Sequence, residues 1–155
     1  MYLKSEIDDL TEFTTQLQKA ILKFASSNFK VIIPGYTHLQ IAQCVLLAHH
    51  LLAYVEALER DKQRLLDAKA RIDSMPLGAC AFSGTGLNID RDFVKKELKF
   101  SSVTANSIDS VSDRAFIIEI LAALSISSLP LSRMAEDLIL SSTPAFSFLA
   151  LDFPF

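Results

Sequence analysis

Apolar side chains recur every three or four residues along almost all of this 155-residue chain, a spacing that leaves room for little besides α-helices. From Tyr2 to about Ser27, the stripe Leu3, Ile7, Leu10, Phe13, Leu17, Ile21 and Phe24 has Lys4, Glu6, Asp8, Asp9 and Glu12 mainly between its members. This predicts one amphipathic helix. A second stripe, Cys44, Leu47, Leu51, Val55, Leu58, Leu65 and Ile72, lies near heptad spacing and predicts a helix from near Leu39 to about Ile72, about 50 Å long. Its first half, Val45 to Val55, is apolar on nearly every face apart from His49 and His50, as in a helix surrounded by others. Beyond Glu56 it turns charged, with Glu56/Arg60 and Asp67/Arg71 four residues apart on wet faces.

Pro76, Gly78, Gly84 and Gly86 break regularity in "SMPLGACAFSGTGLN", which reads as a loop. No GKS/T follows its "SGTG", so an ordinary connection is favoured over a phosphate cradle. Asn88 is placed to cap a short helix, Ile89 to Leu98, and Asn106 or Ser107 to cap a third long helix running to about Ser141. The buried stripe of that helix is expected at Ile108, Val111, Ala115, Ile118, Leu121, Ser125 and Leu129, with a kink or a break at Pro130. Pro144 and Pro154 would not extend it. No strand or internal repeat emerges. The expected fold is all-α, an elongated bundle of long antiparallel helices, with residues 1–155 forming a single partial domain.

Charge and cysteine usage narrow the partners. A net charge of −3 with acids and bases interspersed gives no basic field for nucleic acid. A hydrophobic content of 50% is high for a monomer of this size and points to apolar surface held against other chains, hence a homo-oligomer. Ala115 to Leu131 is apolar but contains Glu119, three serines and Pro130, which favours a buried bundle helix over a membrane span. Cys44 and Cys80 lie far apart and the N-terminus lacks a signal-like apolar run, so a reducing cytoplasm fits. Both cysteines are expected as small core residues. His49 and His50 are adjacent, about 100° apart on a helix, which suits packing or hydrogen bonding rather than chelation of one metal ion.

The stretch "PGYTHLQIAQ", Pro34 to Gln43, holds the chemistry. Thr37 and Gln40 fit a capping box at the start of the second helix, which would put His38 in its first turn. There the positive end of the helix dipole would disfavour imidazolium and leave a neutral, proton-accepting ring. Such a ring suits a general base or the orienter of one; a histidine that merely satisfies a helix end is the other reading.

"PGYTHLQIAQ" closely resembles the second signature region of argininosuccinate lyase, of the fumarase/aspartase superfamily that also contains the delta-crystallins. "AHHLLAYVEALERDKQRL" (Ala48 to Leu65), "MPLGACAFSGTGLNIDRD" (Met75 to Asp92), "VTANSIDSVSDRAFIIE" (Val103 to Glu119) and "LSRMAEDLIL" (Leu131 to Leu140) resemble successive stretches of that family, in order. The resemblance implies a cytoplasmic enzyme of arginine biosynthesis, a homotetramer without metal or organic cofactor, that reversibly splits argininosuccinate into arginine and fumarate by β-elimination. By the same resemblance His38 belongs to the proton-transfer machinery and Thr37 contacts substrate. Gln40 could serve only a cap. Asp113 and Arg114 match a charged pair of the family, where a forked guanidinium suits an anion, although Ala115 replaces the family's second acid and a structural ion pair is an equal reading. The family's first signature, "GRSRND", and its third, ending "MPQKKNP", do not occur here, so the chain is expected to be a central fragment supplying part of a site shared between subunits, and inactive alone. The alternative is a catalytically silent helical oligomer with a structural role.

Overall fold

A computed structural model describes residues 1–151; Pro154 lies outside the described residues. Among the described residues nine elements follow in order: α1 (Tyr2–Ser27), β1 (Ile32–Thr37), β2 (Gln40–Leu46), α2 (Leu47–Arg71), β3 (Ser74–Met75), α3 (Arg91–Glu97), β4 (Ser102–Val103), α4 (Ser107–Ser112) and α5 (Ala115–Ser142). The fold is that of a helical bundle fragment, and the all-α expectation holds for the bulk of the chain. The expectation of no strands does not. The chain divides into two compact units, here called the loop unit (Met1–Thr11 with Gln63–Leu124) and the hairpin unit (Glu12–Lys62 with the residues from Ser125 on).

In the loop unit, Ile7, Leu65, Ala68, Ile120 and Ala123 form the apolar cluster, with Leu3, Leu10, Ile72 and Leu124 against it. Each fully buried Leu or Ile contributes roughly 1.5–3 kcal/mol by leaving water. Around this cluster the polar groups are paired. Lys4 forms an ion pair with Asp73, donates to Lys99 O at 3.0 Å and sits 4.8 Å from the Phe100 ring. Asp73 in turn accepts from Ser101 N at 3.2 Å, and β3 and β4 pair in parallel, Ser74 with Ser102 and Met75 with Val103. Arg91 ties the long loop down by donating to Leu77 O (2.9 Å), Thr104 O (3.2 Å), Met75 O (3.5 Å) and Thr104 Oγ1 (3.0 Å).

In the hairpin unit, Ile21, Ala25, Leu47, Leu51, Tyr54 and Leu58 are buried together, with Leu17, Ile33, Ala48, Val55 and Met134 packed on them. Gln18, buried on the apolar side of α1, reaches Val55 O and Glu59 Oε2, both at 3.1 Å.

Several expected boundaries move. The second long helix begins at Leu47 and not near Leu39, so its 25 residues span about 38 Å. The short helix is capped by Asp90, whose carboxylate accepts from Phe93 N at 2.9 Å, in place of Asn88. Asn106 does cap a helix, accepting from Ile108 N and Asp109 N, but that helix ends at Ser112. The expected third long helix is broken at Asp113 and Arg114. Asp113 is extended (ψ 133°), and its side chain accepts from Ala115 N at 2.8 Å, which starts α5 afresh. Helix α5 then runs unbroken through Pro130, so no break occurs there.

The stripe expected to be buried on that helix is largely exposed. Among the described residues α5 buries only Ile120 and Ala123, whereas Ile118 is 70% and Leu129 63% exposed. By length and composition alone α5 is also apolar enough to cross a membrane. Both cysteines are exposed, not in the core.

Candidate active site on a strained hairpin

Residues 32–46 form an antiparallel hairpin for reasons that are local. Ile33 precedes a proline and is driven to extended backbone, and Ile32, Ile33, Tyr36, Thr37, Ile41 and Val45 are β-branched or aromatic. Pro34 lacks an N–H, which a two-stranded ribbon tolerates because every strand in it is an edge. Pairing runs Ile32 with Leu46, Ile33 with Val45 and Pro34 with Cys44, then shifts to Tyr36 with Ile41 and Thr37 with Gln40. At the shift, Gly35 opposes Ala42 and Gln43, a one-residue bulge. A Cβ at Gly35 would lie 2.8 Å from the Gln43 carbonyl oxygen, so only glycine fits that close approach.

The two-residue loop of this hairpin is His38 and Leu39, at φ 52° and 60°. Two positive values in succession are what a tight primed turn demands, and glycine or asparagine normally supplies them. A histidine and a leucine there cost about 1–2 kcal/mol each. His38 therefore stands at the tip of a hairpin, well before the N-terminus of α2. The capping box of Thr37 and Gln40 does not form; the two residues face each other as the last strand pair, and the helix-dipole argument for a neutral His38 falls with it. The ring is exposed and, among the described residues, has no hydrogen-bond partner.

Thr37 and His38 line an open cleft of about 1060 Å³ within the hairpin unit. Its walls are the hairpin from Ile33 to Val45, and its floor includes His49, His50, Asp137, Ser141, Phe146 and Phe148. Gln40 is not part of that lining.

The floor contains an arrangement that spacing did not reveal. Asp137 Oδ2 accepts from the Tyr54 hydroxyl and lies 3.1 Å from His50 Nε2, and the His50 and Tyr54 rings meet edge-on at 5.7 Å. Burial, followed by the hydrogen bond to Asp137 and its charge, pushes the Tyr54 phenol up, so it remains a donor at neutral pH. The hydrogen-bonded role expected for His50 holds. The i,i+4 spacing of His50 and Tyr54 was visible in the sequence, but their common partner 83 residues from Tyr54 was not.

Asp113 and Arg114 form no ion pair with each other. The guanidinium donates to Val111 O (3.2 Å) and Asp113 O (2.5 Å), while the carboxylate is taken up by the start of α5.

Comparison with known proteins covers the chain from end to end. Residues 1–155 match the family model described as lyase. The argininosuccinate lyase of Moorella thermoacetica is 51% identical over 98% of this chain. Among solved structures, EDDS lyase in complex with formate is 30% identical and superposes with a TM-score of 0.94 over 98% of the chain and 31% of its own. An EDDS lyase variant with bound fumarate gives 29% identity, a TM-score of 0.91, and coverage of 95% of this chain and 30% of its own. The chain spans about a third of the length of the curated relatives it matches (33% for the Moorella enzyme).

Proposed function

The chain belongs to the lyase family, and from that premise we propose that it carries the proton-transfer hairpin of an argininosuccinate lyase, a carbon–nitrogen lyase of arginine biosynthesis. The supporting observation is His38: an imidazole without a hydrogen-bond partner among the described residues, on a strained turn, lining an open cleft beside a threonine hydroxyl. Strain of this kind persists where a function keeps it.

In the proposed reaction a base removes the proton from the carbon beside a substrate carboxylate. The electron pair delocalises into an aci-carboxylate, then expels the guanidinium nitrogen, which takes up a proton as the C–N bond breaks, giving fumarate and arginine with no net proton, oxidant or water consumed. His38 takes part in moving the proton, by accepting it or by orienting the group that does. Thr37 donates its hydroxyl to a carboxylate of the substrate. Both groups reach the same cleft from adjacent positions, so substrate and base are held by one rigid turn. Fumarate bound to an EDDS lyase variant fits the dicarboxylate half of this substrate.

A second reading is a catalytically silent helical oligomer, which the exposed row Ile118, Leu121 and Leu129 of α5 favours. We take that face to be covered by further copies, a tetramer by family resemblance, in the cytoplasm. Lipid is the poorer cover, because the uncharged run between Glu119 and Arg133 is short of the roughly 20 residues a span needs. The two readings share the assembly and differ in chemistry. Mixing the chain with a full-length argininosuccinate lyase disabled at its matching histidine, then following fumarate release, separates them. Restored turnover that His38→Asn removes supports the enzyme; mixed assemblies with no turnover leave the silent oligomer.

A further inference from the structure

Backbone pairing through Thr37 and Gln40 fixes the base of the His38 turn, yet two non-glycine residues at positive φ need more than one pair to hold them. The residue just before the turn supplies a second attachment. The Tyr36 ring meets Phe146 edge-on, centroids 5.0 Å apart at 77°, and lies 6.2 Å from Phe148; those two phenylalanines are themselves 5.9 Å apart. All three separations, and the edge-on angles of the Tyr36–Phe146 and Phe146–Phe148 pairs, are those at which aromatic quadrupoles attract; Tyr36 and Phe148 are tilted at 35°.

Phe146 and Phe148 reach Tyr36 because the chain doubles back after α5. Phe146 N donates to Thr143 O at 3.1 Å, and Phe148 N and Leu149 N both donate to Ser141 O, at 2.9 and 3.1 Å, with Ser147 at φ 49°. Both phenylalanines are half-buried and stand outside the apolar cluster of the hairpin unit. They are not core filling. Instead they line the same cleft as Thr37 and His38.

We propose that Phe146 and Phe148 are positioning residues: their rings clamp Tyr36 and, through it, hold the Thr37–His38 tip in place over the cleft. The effect on turnover rests on the lyase reading, whereas the clamp does not. A proton-transfer group displaced by about 1 Å loses up to a hundredfold in rate, so a clamp on the neighbouring residue matters to the chemistry.

Tyr36→Leu, Phe146→Leu and the double variant test this by two measurements. In the purified chain, the ring resonance of His38 is followed by NMR, assigned by its loss in His38→Asn, with His50, held by Asp137, as internal reference. The clamp predicts that His38 moves towards the position of a free histidine in each variant while His50 stays. In mixed assemblies with the histidine-disabled lyase, each single change lowers kcat about tenfold with KM little altered. The double variant then falls no further than the worse single one, because both cut the same connection, and Phe146→Tyr keeps most of the rate. An unmoved His38 resonance with additive losses overturns the clamp. Should Phe146→Leu move His50 as well, Phe148→Leu, whose ring lies farther from Tyr36, decides by the same criterion. Absence of turnover with the unsubstituted chain sinks the lyase reading alone, and the resonances still decide the clamp.

Discussion

The loop unit and the hairpin unit both contain a segment rich in turn residues, and the two are finished in opposite ways. In the first, the loop from Pro76 to Asp90 is tied down by Arg91, whose guanidinium makes four hydrogen bonds, and Gly78 at φ 87° lets that side chain pass close by. That guanidinium is spent on the fold. In the second, the hairpin ends in two residues held at an unfavourable φ, one of them a titratable ring with no partner among the described residues. Glycines alone therefore do not mark the place of chemistry. Where glycine is absent from a turn that wants it, conformational energy is being retained for something else.

Substitutions at the two places should separate these roles. His38→Asn is expected to remove at least a hundredfold of the turnover restored in mixed assemblies, while the urea midpoint of the chain does not fall, asparagine tolerating the positive φ; retained turnover would mean the tip is only a turn. Arg91→Ala should do the reverse. Met75 O keeps its bond from Thr104 N at 3.1 Å, but the half-buried Thr104 carbonyl loses the guanidinium, and the change costs about 2 kcal/mol in urea unfolding without moving the NMR signal of His38. Leu39→Gly sharpens the contrast from the other side: removing a Cβ at φ 60° should stabilise the chain by about 1 kcal/mol, read as a higher midpoint. Gain of stability on deleting a side chain would show that the tip is strained in solution.

The smallest effect concerns acid. Hydrogen bonding from the Lys4 ammonium, with help from Ser101, holds the Asp73 carboxyl below the usual carboxylate range against the opposing pull of desolvation. Its folded value is below its unfolded one, so the pair stabilises the loop unit at neutral pH and ceases to do so as the pH falls below about 4. The pair is partly exposed, which limits it to about 1 kcal/mol or less. Urea midpoints of the chain and of Lys4→Met should therefore differ more at pH 7 than at pH 3. Equal differences at both would mean that Lys4 acts through its contact with Phe100 alone.

Helix α1 was legible in its bounds because its apolar side chains recur every three or four residues from Leu3 to Phe24, although Phe13 and Phe24 of that stripe stand exposed while Gln18 and Ala25 are buried. The end of α2 was nearly as clear, closing one residue short of Ile72. The hairpin was hidden by two coincidences. Thr37 and Gln40 imitate a capping box, and the turn uses His-Leu where Asn-Gly would have announced itself. Pro34 further disguised β1, since a proline argues against a strand unless that strand is an edge. Periodicity also overstated what α5 buries, because a stripe records which face seeks cover and not whether this chain supplies it. Thr37 and His38 stood out in the sequence as candidates, but the floor of the cleft they line did not. Asp137 meets His50 and Tyr54 only through the tertiary fold, and Phe146 and Phe148 come from a chain reversal that carries no periodic signal.

The bulge at Gly35 carries one more implication. Side chains on a strand point alternately to its two faces, so the extra residue opposite Gly35 decides which face Ile41 and Gln40 turn towards their partners Tyr36 and Thr37. One amino acid inserted or deleted between Ile41 and Cys44 would turn that pair over, whatever its identity. Spacing, more than the chemistry of most individual positions, is what this segment is least able to give up.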